Sequence, residues 1–181
     1  MRTAAITLIT LFCLKAFSQQ DEKILPKSLN YKQIESAEPR EIVLPAFSAK
    51  EWASLDYNDE KNGHMPKYAR CIDTDISPRN SGTWTVIPGL GRIWRVKITS
   101  KNALALVPLF DSLYLPEGAT LHVYMPDREE TFGAFTHGNT PEPRAFCSGI
   151  IHGETCILEY FEPIQETGNG IIHINKVGHA Y

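Results

Sequence analysis

Cysteine is scarce in this 181-residue chain, which has four, and no two of them form a Cys-x-x-Cys pair. So few cysteines do not build a small disulfide-rich scaffold, and structural zinc sites are typically made from Cys-x-x-Cys pairs. The composition therefore favours a single domain that is stabilised by an apolar core. We predict neither a metal ion nor another cofactor.

Excess positive charge and long apolar runs are also missing. Lysine and arginine number 18 against 21 aspartate and glutamate residues, which gives a formal net charge of −3, and no basic stripe stands out. A nucleic-acid partner therefore has no electrostatic support. No stretch after residue 18 approaches the roughly 20 apolar residues of a membrane-spanning helix, so we predict no membrane span.

Recognisable catalytic motifs are absent as well. The sequence contains no Gly-x-Ser-x-Gly, no His-Glu-x-x-His and no phosphate-binding loop. Ser148, His152 and Asp111 supply the residue types of a catalytic triad, but nothing in their spacing brings them together. We therefore assign no catalytic residue and predict that this chain is not an enzyme on its own.

The N-terminus has the three parts of a secretory signal peptide. Arg2 gives it a positive charge, residues 4–14 are almost entirely apolar, and small residues precede position 19. A buried N-terminal helix is the alternative interpretation. We predict that residues 1–18 are a signal peptide, that cleavage follows Ser18, and that the protein is secreted or lies on the outside of the cell envelope.

The remainder divides into an arm and a domain. Residues 19–40 are polar and contain two prolines, which predicts an extended arm or linker. Residues 41–181 show the alternation of half-buried strands, as where Trp94, Val96 and Ile98 share one face. Short strands between Gly and Pro turns predict an all-β fold, an antiparallel β-sandwich or jelly-roll-like domain with at most one or two short helices. The predicted strands span residues 42–47, 68–72, 83–87, 92–99, 104–106, 113–115, 120–124, 131–136, 145–151, 155–161 and 171–177.

One short helix is predicted after the first strand. Pro45 places that strand at a sheet edge, because proline has no N–H to donate to a neighbouring strand. Residues 48–51 (SAKE) have the pattern of a helix capping box, and Trp52 and Leu55 lie three residues apart, as on one helical face. The polar residues 56–63 predict a turn that ends this helix.

A hairpin is predicted around the turn residues 152–154. Pairing Ile151 with Cys156 puts the apolar residues of both strands on one face. Cys147 and Cys156 are then four residues out of register, which is too far apart for a disulfide. A disulfide would therefore join Cys71 to Cys147 or Cys156, and the alternative is that all three are buried as free thiols.

Aromatic residues suggest a second type of function. Trp84, Trp94, Tyr114 and Tyr124 could provide flat surfaces on which a sugar stacks. Trp94 shares its face with apolar neighbours and is assigned to the core, whereas Trp84 stays a candidate ligand-binding aromatic. A secreted β-sandwich that binds a carbohydrate or a protein is therefore the alternative function.

An ordered series of segments carries a family resemblance. The segments are residues 98–106 (ITSKNALAL), 113–124 (LYLPEGATLHVY), 133–136 (GAFT), 157–160 (ILEY), 172–174 (IHI) and 177–181 (VGHAY). Together they resemble the N-terminal region of secreted, lysyl-endopeptidase-like proteases, a trypsin-like serine protease family of bacteria. The resemblance covers roughly residues 84–181, and residues 19–83 match it only loosely.

The resemblance implies a non-catalytic pro-domain or accessory domain whose partner is a trypsin-like serine protease domain, in cis or in trans. In that family the His-Ala-Tyr segment lies just before the protease domain, so no catalytic residue of the family can be placed in this sequence. Such a domain can help the protease to fold. It can also hold a zymogen inactive, with residues 171–181 lying across the active-site cleft. Lys176 is then a candidate processing site.

Overall fold

The structure, a computed structural model, describes residues 24–35, 37–46, 48–65, 67–140 and 145–181. The predicted signal peptide, with its cleavage point after Ser18, lies outside these residues. The described part forms eleven strands, two α-helices and two short 3-10 helices, at Lys27–Asn30 and Ile164–Glu166. The elements are β1 (Glu41–Val43), β2 (Ala69–Ile76), β3 (Thr83–Ile87), β4 (Gly91–Thr99), β5 (Ala105–Tyr114), β6 (Thr120–Tyr124), β7 (Thr131–Phe135), β8 (Phe146–Cys147), β9 (Ile151–His152), β10 (Thr155–Pro163), β11 (Ile171–Ala180), α1 (Lys32–Glu35) and α2 (Ala49–Lys61).

The strands form two sheets, and the predicted all-β sandwich is confirmed. Sheet A has the order β1-β4-β10-β6-β7, and β3 lies beside β1 on the same edge of β4. Sheet B has the order β2-β11-β5-β8, and β9 pairs with the same edge of β5 as β8 does. Neighbouring strands are antiparallel except β1 and β4, which are parallel. As predicted, β1 lies at an edge.

The core lies between the two sheets and follows from the alternation in the sequence. In β4, Trp94, Val96 and Ile98 point inward and are fully buried. They belong to one apolar cluster with Leu106 of sheet B and Leu158 of sheet A. Because side chains alternate along a strand, each inner face supplies every second residue to this cluster.

The predicted hairpin around residues 152–154 is wrong. The strand predicted at 145–151 is two short strands, β8 and β9, which both pair with β5 in sheet B, whereas β10 pairs with β4 and β6 in sheet A. The chain crosses between the sheets at Gly153, whose N–H donates to the carbonyl oxygen of Leu104. Ile151 and Cys156 are both buried, but they face the core from opposite sheets. A crossing satisfies the apolar pattern as well as a hairpin does.

The extended polar arm predicted at residues 19–40 is corrected over its described part, and residues 19–23 lie outside the described residues. Within it, residues 24–35 and 37–40, the N-terminal segment, pack on the outer face of sheet A. Ile34 joins Ile93 and Phe161 in a second apolar cluster. The polar composition did not indicate this packing, because the segment contacts the sheet through only a few apolar side chains.

A row of buried polar side chains lies beneath the N-terminal segment. Arg95, Glu159 and His122 occupy adjacent positions of β4, β10 and β6. The N–H of Ser28 donates to Glu159 Oε1 and the hydroxyl of Tyr124 donates to Oε2, each at 2.9 Å. Burial and the neighbouring Glu159 carboxylate raise the pKa of Tyr124. The row therefore attaches the segment to the sheet through hydrogen bonds as well as apolar contacts.

Helix α2 begins where the sequence predicts and ends later. Ser48 caps it: its Oγ accepts from the N–H of Glu51, and its own N–H donates to the Glu51 carboxylate. The helix continues through Asp56 to Lys61, so the turn predicted at 56–63 is wrong. No helix in the described part of the chain is long and apolar enough to cross a membrane.

Candidate functional site

The C-terminal end of the described domain is held in an aromatic stack. Trp52, the only buried residue among the described side chains of α2, stacks on His179 at a ring-centroid distance of 5.2 Å. It also stacks on Tyr181 at 4.8 Å, with the two rings only 10° from parallel. We name Trp52, Asp56, Arg70, His179 and Tyr181 the C-terminal anchor. It lies where α2 contacts the end of β11 and the start of β2.

Polar contacts complete the C-terminal anchor. The hydroxyl of Tyr181 donates to Asp56 Oδ1 at 2.6 Å, and Arg70 donates to the same oxygen at 2.9 Å. Arg70 also donates to Asp59 Oδ2 at 2.7 Å. The hydrogen bond from Tyr181, followed by that from Arg70, lowers the pKa of Asp56. Trp52, Asp56 and Asp59 are four and three residues apart, so they share one face of α2.

His179 is the buried titratable group of the C-terminal anchor. Its Nδ1 is hydrogen-bonded to Ser100 Oγ at 2.7 Å, and no described residue partners its buried Nε2. Burial lowers the pKa of His179 below its usual value near 6.5. A lowered folded-state pKa means that the unfolded chain takes up a proton first, so this group destabilises the fold as the pH falls below about 6.5. The anchor is therefore weakened by acid.

Strand β11 is an interior strand of sheet B, paired with β2 on one side and β5 on the other. At its end, Ala180 pairs with both Ala69 and Ala105, and its carbonyl oxygen accepts from the N–H of Leu104. An inhibitory tail has to be free to lie across another domain. Residues 171–180 are not free while the sandwich is folded, which argues against the predicted inhibitory tail.

Lys176 lies in the middle of β11. Its Nζ donates to Asp73 Oδ1 at 2.8 Å, and its backbone lies between Asp73 and Leu109. Proteases cleave preferentially at exposed loops and chain ends rather than in paired interior strands. The side chain is accessible, at 46% exposure, but the peptide bond is protected by the sheet. The position therefore does not suit the predicted processing site in the folded domain.

A second histidine of β11 has the opposite electrostatic setting. His173 Nδ1 lies 2.6 Å from Asp111 Oδ1, and its Nε2 lies 3.1 Å from Asp75 Oδ1. The hydrogen bond with Asp111, followed by that with Asp75, raises the pKa of His173 above 6.5. A raised folded-state pKa stabilises the fold below about pH 6.5, and this contribution is lost as the pH rises through the folded pKa.

Replacing His173 with glutamine should therefore destabilise the fold in a pH-dependent way. His173 and its two aspartate partners are partly exposed. We therefore expect the free energy of unfolding to fall by at most about 1 kcal/mol at about pH 5.5, and the difference to shrink toward zero at about pH 9. Urea unfolding of the wild type and of His173→Gln at both pH values measures the difference. An equal difference at both values would show that the aspartates do not act through the charge of His173.

Trp84 does not form an open platform for a ligand. Its ring is covered by the guanidinium of Arg92, whose Cζ lies 4.0 Å from the ring centroid, and the ring of Tyr160 meets it edge-on at 6.0 Å. Its indole N–H donates to the carbonyl oxygen of Pro78 at 3.0 Å. Trp84 packs against the core cluster, so its hydrogen-bonding and stacking capacity is used within the domain.

The predicted disulfide of Cys71 is absent, and Cys71, Cys147 and Cys156 are all free. Cys71 on β2 and Cys147 on β8 are separated by three strand-to-strand steps, about 14 Å, which is twice the longest Cα separation that a disulfide spans. Cys156 is buried in the core of sheet A, and burial raises its thiol pKa to about 12. Of the two predicted states, the structure has free thiols, although only Cys156 is buried.

The triad residue types do not converge. Ser148 is buried and no described residue accepts or donates at its Oγ. His152 is bound to Glu130, and Asp111 is bound to His173. Among the described residues, no group of three or more His, Cys, Asp or Glu side chains is placed to hold a metal ion.

The C-terminal anchor was only partly visible in the sequence. The His-Ala-Tyr segment is part of the family resemblance, but its partners Trp52 and Arg70 lie more than a hundred residues away along the chain. The spacing of Trp52, Asp56 and Asp59 on one helical face was the available signal. The chain matches no protein-family model. The serine hydroxyl beside the anchor histidine, that of Ser100, is fully buried. The stacked rings and paired charges of the anchor suit holding a chain segment in place.

Proposed function

We propose that this chain is the non-catalytic N-terminal domain of a secreted, lysyl-endopeptidase-like serine protease, and that it acts as a folding scaffold for the protease domain. The observation that supports the proposal is the C-terminal anchor. It holds His179 and Tyr181, the segment that lies just before the protease domain in the family that the sequence resembles, against Trp52. A rigid exit point would fix where the following domain starts to fold.

The scaffold role is favoured over the zymogen-inhibitor role. Releasing residues 171–180 as a tail would remove an interior strand and break its pairing with β2 and β5. A scaffold needs no such release, because it acts through a surface that is already ordered. Trypsin-like domains are rich in non-local strand pairs, whose slow formation is the step that a preformed neighbour can assist.

The alternative function, carbohydrate binding, loses its main candidate residue. Trp84 is covered by Arg92 and hydrogen-bonded to Pro78, so a sugar cannot stack on the covered face without displacing Arg92. Moving the Arg92 guanidinium off the ring would also disturb its contact with Glu162 at 2.5 Å. We therefore prefer the scaffold proposal.

Refolding in trans tests the scaffold proposal. A denatured lysyl-endopeptidase catalytic domain is diluted into buffer with and without this chain, and recovered activity is measured on a lysyl amide substrate. We expect a severalfold higher yield of active enzyme with the chain present. An unrelated β-sandwich domain at equal concentration is the control for nonspecific effects. Equal yields with the chain and with the control would contradict the proposal.

Mixing the folded chain with folded protease separates the two roles. We expect no loss of protease activity, because residues 171–180 stay within sheet B. Inhibition that develops with time would instead support the zymogen role. Reading the coding sequence beyond Tyr181 tests the arrangement in cis: an in-frame trypsin-like domain supports it, whereas a stop codon would leave only the arrangement in trans.

A further inference from the structure

A small cavity of about 140 Å³ lies between the N-terminal segment and the outer face of sheet A. Three cationic side chains line it, Arg95 and Lys97 from β4 and Arg128 from the turn after β6. We name it the arginine cavity. Its size is similar to that of an engineered cavity of about 150 Å³ that accommodates benzene, so a group of about six non-hydrogen atoms fits.

Arg95 is the most deeply buried of the three cations. It is 5% exposed, yet its guanidinium makes one hydrogen bond to a described residue, from Nη2 to the carbonyl oxygen of Ala37 at 2.8 Å. The nearest strand neighbour with a carboxylate, Glu159, gives its two oxygens to Ser28 and Tyr124 and forms no described ion pair with Arg95. Most of the five donors of this guanidinium are therefore available to another acceptor.

Arg128 and Lys97 also have unused donor capacity at the cavity. Arg128 donates from Nη1 to Glu35 at 3.0 Å, but its buried Nε has no partner among the described residues. Lys97 Nζ lies 3.9 Å from Glu38 and 3.6 Å from Glu41, distances that are too long for strong hydrogen bonds. Arg128 has a φ of 63°, uncommon for arginine, in a turn that aims its side chain over Tyr124.

We propose that the arginine cavity binds a small oxyanion, either a carboxylate or a phosphate group. Guanidinium groups present paired N–H donors that match two oxygens of such an anion. The carboxylates of Glu35 and Glu38 also line the cavity, but they are 38% and 84% exposed and are therefore screened by solvent. The buried end of the cavity presents the guanidinium of Arg95, because the neighbouring Glu159 carboxylate is not among the lining residues. This site is independent of the proposed scaffold function.

Nuclear magnetic resonance titration of the whole chain tests the proposal. The arginine Nε–H resonances are followed while sodium phosphate or sodium acetate replaces sodium chloride at constant ionic strength. We expect saturable shifts of the Arg95 and Arg128 signals with at least one of the two anions. The anion that binds more tightly identifies the group, phosphate or carboxylate, and either result supports the site.

Matched substitutions locate the binding. Arg128→Gln and Lys97→Gln should each weaken the affinity about tenfold, the effect of losing one charge-assisted hydrogen bond. Arg79→Gln and Lys101→Gln change exposed cations outside the cavity and should leave it unchanged. Circular dichroism confirms that each variant is folded, and because Arg128 and Lys97 are partly exposed, the test does not depend on replacing Arg95. Shifts that do not saturate, or equal weakening by the control variants, would overturn the proposal.

Discussion

Replacing Trp52 with alanine should lower the free energy of unfolding by about 3 kcal/mol, the usual cost of removing a buried tryptophan. The same change should loosen the last residues of β11, because His179 and Tyr181 lose the ring on which they stack. The remaining attachment of α2 is polar, through Asp56 and Asp59 to Arg70, and it is only partly buried. Urea unfolding followed by circular dichroism measures the loss.

Two further variants make this result specific. Trp52→Phe keeps an aromatic ring in the stack and should recover most of the stability. Tyr57→Ala removes an exposed aromatic ring from the same helix and should cost less than about 0.5 kcal/mol. Amide hydrogen exchange of Gly178 and His179 should be faster in Trp52→Ala at equal global stability. Unchanged exchange there would show that sheet pairing alone holds the C-terminal end.

Much of the sandwich was predictable because apolar and more polar residues alternate along several of its strands. In β4 the alternation of Trp94, Val96 and Ile98 with more polar residues sets both the strand and its inner face. The bounds of β3 and β6 agree with the prediction to the residue. In such strands the polarity of each residue indicates which face of the sheet it lies on, so the local sequence is sufficient to predict the strand.

The sequence predicts strand β10 itself but not the element that covers its outer face. Every residue from Cys156 to Glu162 is buried, because the core covers one face and the N-terminal segment covers the other. The near-continuous apolar sequence of β10 agrees with a strand that is covered on both sides. The element that supplies the second cover comes from a polar part of the chain, so composition could not reveal it.

The contacts of the candidate sites were least predictable because they join distant parts of the chain. Even Trp84 and Arg92, which lie close in sequence, stack only because β3 pairs with β4. The chain crosses at Gly153 because β9 pairs with the edge of β5 in sheet B, whereas β10 pairs within sheet A. Sequence patterns set which side chains are buried. They do not set which sheet covers them.

The buried polar row provides the second large expected effect. Replacing Glu159 with alanine leaves the N–H of Ser28 and the hydroxyl of Tyr124 without their acceptor at a site that is almost fully buried. Each buried donor that loses its partner costs about 1–3 kcal/mol, so we expect a loss of about 3 kcal/mol in the free energy of unfolding. Urea unfolding and hydrogen exchange of residues 27–35 measure the global and local effects.

Glu159→Gln separates the loss of charge from the loss of hydrogen bonds. Its amide oxygen can still accept from Ser28, and its NH₂ can donate to the Tyr124 oxygen, so about 1 kcal/mol should be lost. Glu129→Ala, in an exposed turn, is the control and should be nearly neutral. If Glu159→Ala were as mild as this control, the N-terminal segment would be held mainly by Ile34 and its apolar neighbours. If Gln were as damaging as Ala, the negative charge beside Arg95 would be the essential feature of the row.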